Sequence, residues 1–223
     1  MRPLARRTLS AFLGPSYDEA TIEQELRRAG SSVLYSKPAD LTRDAASLLS
    51  AGKIVAWFQG RAEYGPRALG HRSILADPRR AEMKDTVNER IKHREPYRPF
   101  AGAVPLERVT EFFELSGGSP FMQFVVPVKS AALARIPAVV HGGTCRVQTV
   151  DPEEDSLFHG LLTEFGARTG TPVLLNTSFN DADEPIVCSP ADALRTFLKS
   201  DLDALVIGPF LVTRTRQAPG ARA

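Results

Sequence analysis

Cysteine is scarce: Cys145 and Cys188 are the only two in 223 residues, with no Cys-x-x-Cys pair and no histidine spacing of the kind that holds zinc. A disulfide framework and a structural metal centre therefore do not organise the chain, and the simplest expectation is a reduced, cytoplasmic protein with no metal of its own. Both thiols are expected to pack as small core hydrophobes. Neither a leader nor an anchor is expected at the start, because the basic stretch Met1–Ser10 is followed by no apolar run. Charge of one sign is absent: 28 Lys and Arg stand against 26 Asp and Glu, a formal net charge of +2, so no global field marks a nucleic-acid binder. Four Tyr and one Trp offer few stacking platforms, and neither nucleic acid nor a membrane is an expected partner. Repeats, low-complexity segments and linkers are also lacking, so the 43% hydrophobic content is expected to bury one core.

What the chain does have is a run of turns that carry arginines. Gly60-Arg61-Ala62-Glu63-Tyr64-Gly65-Pro66-Arg67-Ala68-Leu69-Gly70-His71-Arg72-Ser73 is followed by Lys92-His93-Arg94-Glu95-Pro96-Tyr97-Arg98-Pro99-Phe100. Glycine and proline build tight turns there, and guanidinium forks match phosphate oxygens two at a time. From Arg61 to Arg98 ten basic residues face six acidic ones, a local excess that fits an anion cradle. Surface arginines paired with Glu63, Glu89 and Glu95 are the alternative.

Periodicity gives the frame. Helices are expected over 18–29, from Thr42 to Gly52, over 80–92, 106–115 and 157–168, and after the cap Ser189. Strands are expected over 32–35, 54–58, 73–76, 100–104, 121–128, 173–175, 204–207 and 211–213, and 141–150 reads as a glycine turn running into a strand. Alternation of strands and helices without a break reads as α/β, one domain with a mixed sheet. The strand 54–58 empties into the Gly60 loop, and in such sheets function gathers at strand ends. Lys84, Asn88 and Lys92 form a stripe on the 80–92 helix that could face the cradle or solvent. Arg146 is a second candidate anion contact, and Asn176-Thr177-Ser178-Phe179-Asn180 is expected as a polar loop of short donors and acceptors after a buried strand.

Four motifs occur in order: the Gly60–Ile74 run, Arg94-Glu95-Pro96-Tyr97-Arg98-Pro99-Phe100, Gly143-Thr144-x-Arg146-Val147-Gln148 and Asn176-Thr177-Ser178-Phe179-Asn180. Together they resemble the C-terminal domain of the O-carbamoyltransferases that decorate nodulation factors and antibiotics, over residues 11–214. The resemblance implies a YrdC-like twisted mixed sheet flanked by helices, with loose ends at 1–10 and 215–223. It implies that the domain takes carbamoyl phosphate and ATP with its Mg and makes carbamoyl adenylate. It assigns Arg67, Arg72, Arg98 and Arg146 to the reacting groups, Arg61, Arg94 and Lys84 to substrate, and Asn176, Thr177, Ser178 and Asn180 to the nucleotide.

In that family an actin-type ATPase domain with a metal and the acceptor site precedes this one, so the resemblance implies a separate ATPase-type partner subunit. The chain departs from the family pattern at His141-Gly142, at Asp181-Ala182-Asp183 and at His71. A non-catalytic nucleotide-binding or regulatory module and an RNA-associated YrdC-like protein are the competing functions.

Overall fold

A computed structural model describes residues 10–182 and 184–215, so the expectation of loose ends falls almost wholly outside the described residues. The chain enters with α1 (Glu19–Arg28), whose N-cap Asp18 accepts from the amide of Thr21, and continues through β1 (Val33–Ser36). Next comes α2 (Leu41–Ser50), capped by Asp40 rather than Thr42: the carboxylate accepts from Arg43 N at 3.0 Å. Strands β2 (Val55–Phe58) and β3 (Arg72–Ala76) flank the glycine-rich loop. The expected 80–92 helix is α3 (Glu82–Thr86) running into a π-helical turn, Val87–Ile91.

After β4 (Ala101–Pro105) the expected helix 106–115 shrinks to a 3-10 turn and α4 (Val109–Phe112). Phe113 is already extended there and bridges Val128. The expected strand 121–128 is only β5 (Phe124–Pro127), followed by the short α5 (Ser130–Leu133). The rest is β6 (Thr144–Val150), α6 (Ser156–Thr169), β7 (Leu174–Ser178), α7 (Pro190–Lys199), β8 (Ala204–Ile207) and β9 (Phe210–Arg214). α7 begins with a reciprocal Ser189–Asp192 capping box.

Among the described residues nine strands form one mixed sheet in the order β1-β9-β8-β2-β3-β7-β4-β6-β5, parallel at β2–β8 and β4–β6 and antiparallel elsewhere. Alternation along β2 and β3 divides the core. Val55, Trp57 and Leu75 pack with Leu49 of α2 and Leu161 and Phe165 of α6 on one face. Phe58 and Ile74 pack with Leu26 of α1, Val87 and Phe197 of α7 on the other. Both faces are thus covered, as the doubly apolar run 54–58 requires. Full burial of Phe158, Leu161, Leu162 and Phe165 contributes about 1.5–3 kcal/mol each and fixes α6 against the sheet. Cys145 is buried as expected, whereas Cys188 is exposed, because it lies in the turn leading to α7 and not within an element. Among the described residues no helix is long and apolar enough to cross a membrane.

Candidate functional site

The cradle forms where β4 and β6 begin and β7 ends. Ala101 of β4 pairs with Arg146 on one side and Asn176 on the other, so those two side chains share a sheet face across a residue that is only a methyl. The loop between β2 and β3 arches over this point. Gly65 and Gly70 turn it with φ of 131° and 109°, and a Cβ on Gly70 would lie 2.3 Å from Phe158 Cδ1. Glu63 closes the loop: its Oε1 accepts from the amides of Leu69 (2.7 Å), His71 (2.8 Å) and Arg72 (3.1 Å). The residue at the crest is Arg67.

Arg67, Arg94 and Arg146 line one cavity of about 140 Å³, together with Asn176, Thr177 and Ser178, and among the described residues no carboxylate lines it. Arg94 is aimed by Asn88, whose Oδ1 accepts from Arg94 Nε at 2.7 Å, and by Phe100, whose ring lies 4.8 Å from its guanidinium carbon. Burial, with the charge of Arg67, lowers the pKa of Arg146; burial, with the charge of Arg98, lowers that of Arg94. Cations held together against their own repulsion make a seat for an anion.

A second cavity of about 330 Å³ adjoins the first and shares Arg94 and Ser178 with it; Lys92, His93, Arg98 and Asn180, with the carboxylates of Glu95 and Asp181, complete its polar wall. Arg98 opens toward solvent and pairs with Glu95 at 2.9 Å. Lys92 is the buried cation of this cavity. Its Nζ donates to Ser178 O (2.8 Å), Asn180 O (2.9 Å) and Asn180 Oδ1 (2.7 Å), which clips the Ser178–Asn180 turn in place. Burial, with the charge of Arg94 second, pushes its pKa down to about 7. Between the two cations His93 takes a left-handed backbone, φ 44°, a conformation that costs a non-glycine residue about 1–3 kcal/mol and gathers at functional sites.

Three residues expected at the site are elsewhere. Arg72 pairs with Phe58 on the opposite sheet face, where its guanidinium lies 3.5 Å from the Phe58 ring centroid and donates to Gln59 O (2.6 Å) and His71 O (3.0 Å). Burial lowers its pKa to about 10, and its bonds hold backbone, not ligand. Arg61 donates to the carbonyls of Leu13 and Gly14 and ties down the incoming chain. Lys84 lies two helical turns before Lys92 and lines neither cavity. Asn176, Thr177 and Ser178 are not loop residues but the last three of β7, so the sheet fixes their direction. The residue that sequence reasoning left out of the site is Lys92, although it stood on the stripe with Lys84 and Asn88.

The sheet and its helices have the fold of the YrdC/Sua5 type. Sua5 of P. abyssi aligns with a TM-score of 0.55 over 78% of this chain and 47% of its own, at 15% identity, and HypF of T. kodakarensis aligns with 0.56 over 83% and 23%, at 20% identity. Sequence narrows the class to one family: residues 46–214 match the carbamoyltransferase C-terminus, and the chain belongs to that family. It is 46% identical to the nodulation protein NolO of Bradyrhizobium diazoefficiens over 219 residues, 96% of this chain and 40% of NolO. It is 38% identical to the 3'-hydroxymethylcephem-O-carbamoyltransferase of Amycolatopsis lactamdurans over 161 residues, 72% of this chain and 30% of that enzyme. The chain thus spans well under half the length of these relatives.

Proposed function

We propose that the smaller cavity takes carbamoyl phosphate, that the larger one takes the phosphates of ATP with their Mg, and that the domain makes carbamoyl adenylate. The observation that carries this reading is the convergence of Arg67, Arg94 and Arg146 on one small cavity that no carboxylate lines among the described residues. A name among the relatives, the cephem O-carbamoyltransferase, supplies the carbamoyl group, and the solved HypF described as phosphate- and nucleotide-bound has the same fold.

The chemistry fits such a wall. Water displaces phosphate from carbamoyl phosphate and leaves carbamate; a carbamate oxygen then bonds to the α-phosphorus of ATP as the bond to pyrophosphate breaks. Both steps move charge among phosphate groups, so neutralisation and alignment matter more than a covalent nucleophile. Arg67 and Arg146 hold the first phosphate, Arg94 stands between the two reactants, and Lys92, Arg98, Ser178 and Asn180 face the nucleotide. The acceptor site and any resident metal belong to the portion of the relatives that this chain does not span, as an ATPase-type partner domain or subunit. The cytoplasm, where both substrates are made, is the place we assign to it.

Calorimetry of the purified chain tests the reading. Arg67→Lys or Arg146→Lys, which loses the planar fork, should weaken carbamoyl phosphate by about 1.5–3 kcal/mol, and the wild type should release pyrophosphate from ATP only when carbamoyl phosphate is present. Unchanged affinity in both variants overturns the assignment. Binding of both compounds with no pyrophosphate would instead mark a nucleotide-binding module.

A further inference from the structure

We infer that Asn176 is a specificity residue whose side-chain carbonyl reads the amino group of the carbamoyl substrate. The inference rests on the reading of the smaller cavity as the carbamoyl phosphate site.

The direction of the Asn176 amide follows from a chain of donors and acceptors. Leu69 O can only accept, so the group 2.6 Å from it is Gln148 Nε2. That leaves Gln148 Oε1 facing Asn176, so the Asn176 atom 2.8 Å away is Nδ2. The same Nδ2 reaches Ala68 O at 3.4 Å, so both of its N–H bonds point at oxygens. Asn176 Oδ1 is then turned away from the Gln148 layer, and among the described residues it is buried without a hydrogen-bond partner, in a residue that is 2% exposed. A buried carbonyl left unpaired is unfavourable, and such groups in folded proteins nearly always have a partner. The cavity that Asn176 lines is walled by three guanidinium groups, which are donors only. They satisfy phosphate oxygens and cannot distinguish one acyl phosphate from another.

Asn176 lines that wall too, and its unpaired Oδ1 is the acceptor its side chain has left to offer. Arg146 and Asn176 are two strands apart, roughly 10 Å, with only the methyl of Ala101 between them. A ligand lying across Ala101 with its phosphate on the arginines turns its acyl end to Asn176. An amino group there donates to Oδ1; a methyl group leaves it unpaired. Sites built to bond an N–H reject the analogue that lacks it far more strongly than apolar pockets reject a methylene. The pair to compare is therefore carbamoyl phosphate and acetyl phosphate, which differ as NH₂ and CH₃.

Titration calorimetry of the wild-type chain with carbamoyl phosphate, acetyl phosphate and inorganic phosphate tests the inference without any variant. Carbamoyl phosphate should bind about ten-fold or more tightly than acetyl phosphate. In Asn176→Ala that ratio should fall below about three, while inorganic phosphate, which meets only the arginines, changes by less than that. A wild-type ratio near one, with both acyl phosphates binding, overturns the role of Asn176 and leaves the cavity assignment standing. A ratio in Asn176→Ala as large as in the wild type does the same. No binding of any of the three overturns the cavity assignment and this inference together.

Discussion

Lys92→Met isolates a buried charge whose cost can be worked out from its surroundings. The ammonium is enclosed by β7 and the Ser178–Asn180 turn, and burial pushes its pKa down to about 7 from the ordinary lysine value of 10.5. The unfolded chain therefore holds a proton that the folded chain gives up between those two values. A lysine depressed in the folded state costs stability in full below about pH 7, and the cost fades as pH rises toward the unfolded pKa. The whole shift corresponds to about 5 kcal/mol at about 1.36 kcal/mol per unit, of which about 2 kcal/mol is recovered between pH 7 and pH 9.

Chemical denaturation of wild type and Lys92→Met at several pH values in that window measures the difference. The wild-type unfolding free energy should rise with pH relative to the variant by about 2 kcal/mol. Lys92→Met also leaves the carbonyls of Ser178 and Asn180 without their donor, but that loss offsets the curves without tilting them. Parallel curves would refute the burial argument. A ligand anion in the larger cavity favours the ammonium, so ATP binding at pH 8 should draw up close to one proton in the wild type and none in the variant.

Three further outcomes follow from the geometry. Ser178→Ala removes the hydroxyl that donates to Asn180 Oδ1 at 2.6 Å, so ATP affinity should fall about ten-fold and carbamoyl phosphate affinity by less than about three-fold; equal losses would show that the residue serves only the strand end. Arg72→Leu leaves Gln59 O unbonded, while His71 O keeps the amide of Gln59 at 2.9 Å, and should cost about 1–3 kcal/mol in denaturation, with carbamoyl phosphate affinity of the folded protein unchanged; weakened binding without lost stability would return Arg72 to the site. Gly70→Ala places a methyl against Phe158 at a φ of 109° and should cost about 3 kcal/mol by strain and overpacking, with weaker anion binding as Arg67 shifts; a variant as stable as the wild type would contradict the packing.

The frame was legible because burial writes itself into periodicity: the doubly apolar run 54–58 and the amphipathic α6 could be placed from spacing alone. The cradle was legible only in part. Arg67, Arg94 and Arg146 lie in turns or at a strand head, where motif order was the guide. Arg72 was misplaced by one residue of strand. With β3 starting at Ser73 it reads as loop, whereas starting at Arg72 the two-residue period puts it beside Ile74 on the covered face. Lys92 was hidden for a different reason. Lys84, Asn88 and Lys92 are equivalent on a helical wheel, and only the π-helical turn with its left-handed exit at His93 decides which one meets β7.

Arg94 and Ser178 belong to both cavities, so the two chambers have a common wall. Anions seated in both at once must divide the attraction of one guanidinium. Each then loosens the other, and by thermodynamic reciprocity the factor is the same whichever enters first. On the proposed chemistry that tension is relieved: once phosphate has left the smaller chamber, the carbamoyl group has joined the nucleotide and pyrophosphate has departed, a single anion would remain against Arg94. On that reading the shared wall would make the joined product a better occupant than the two separate reactants.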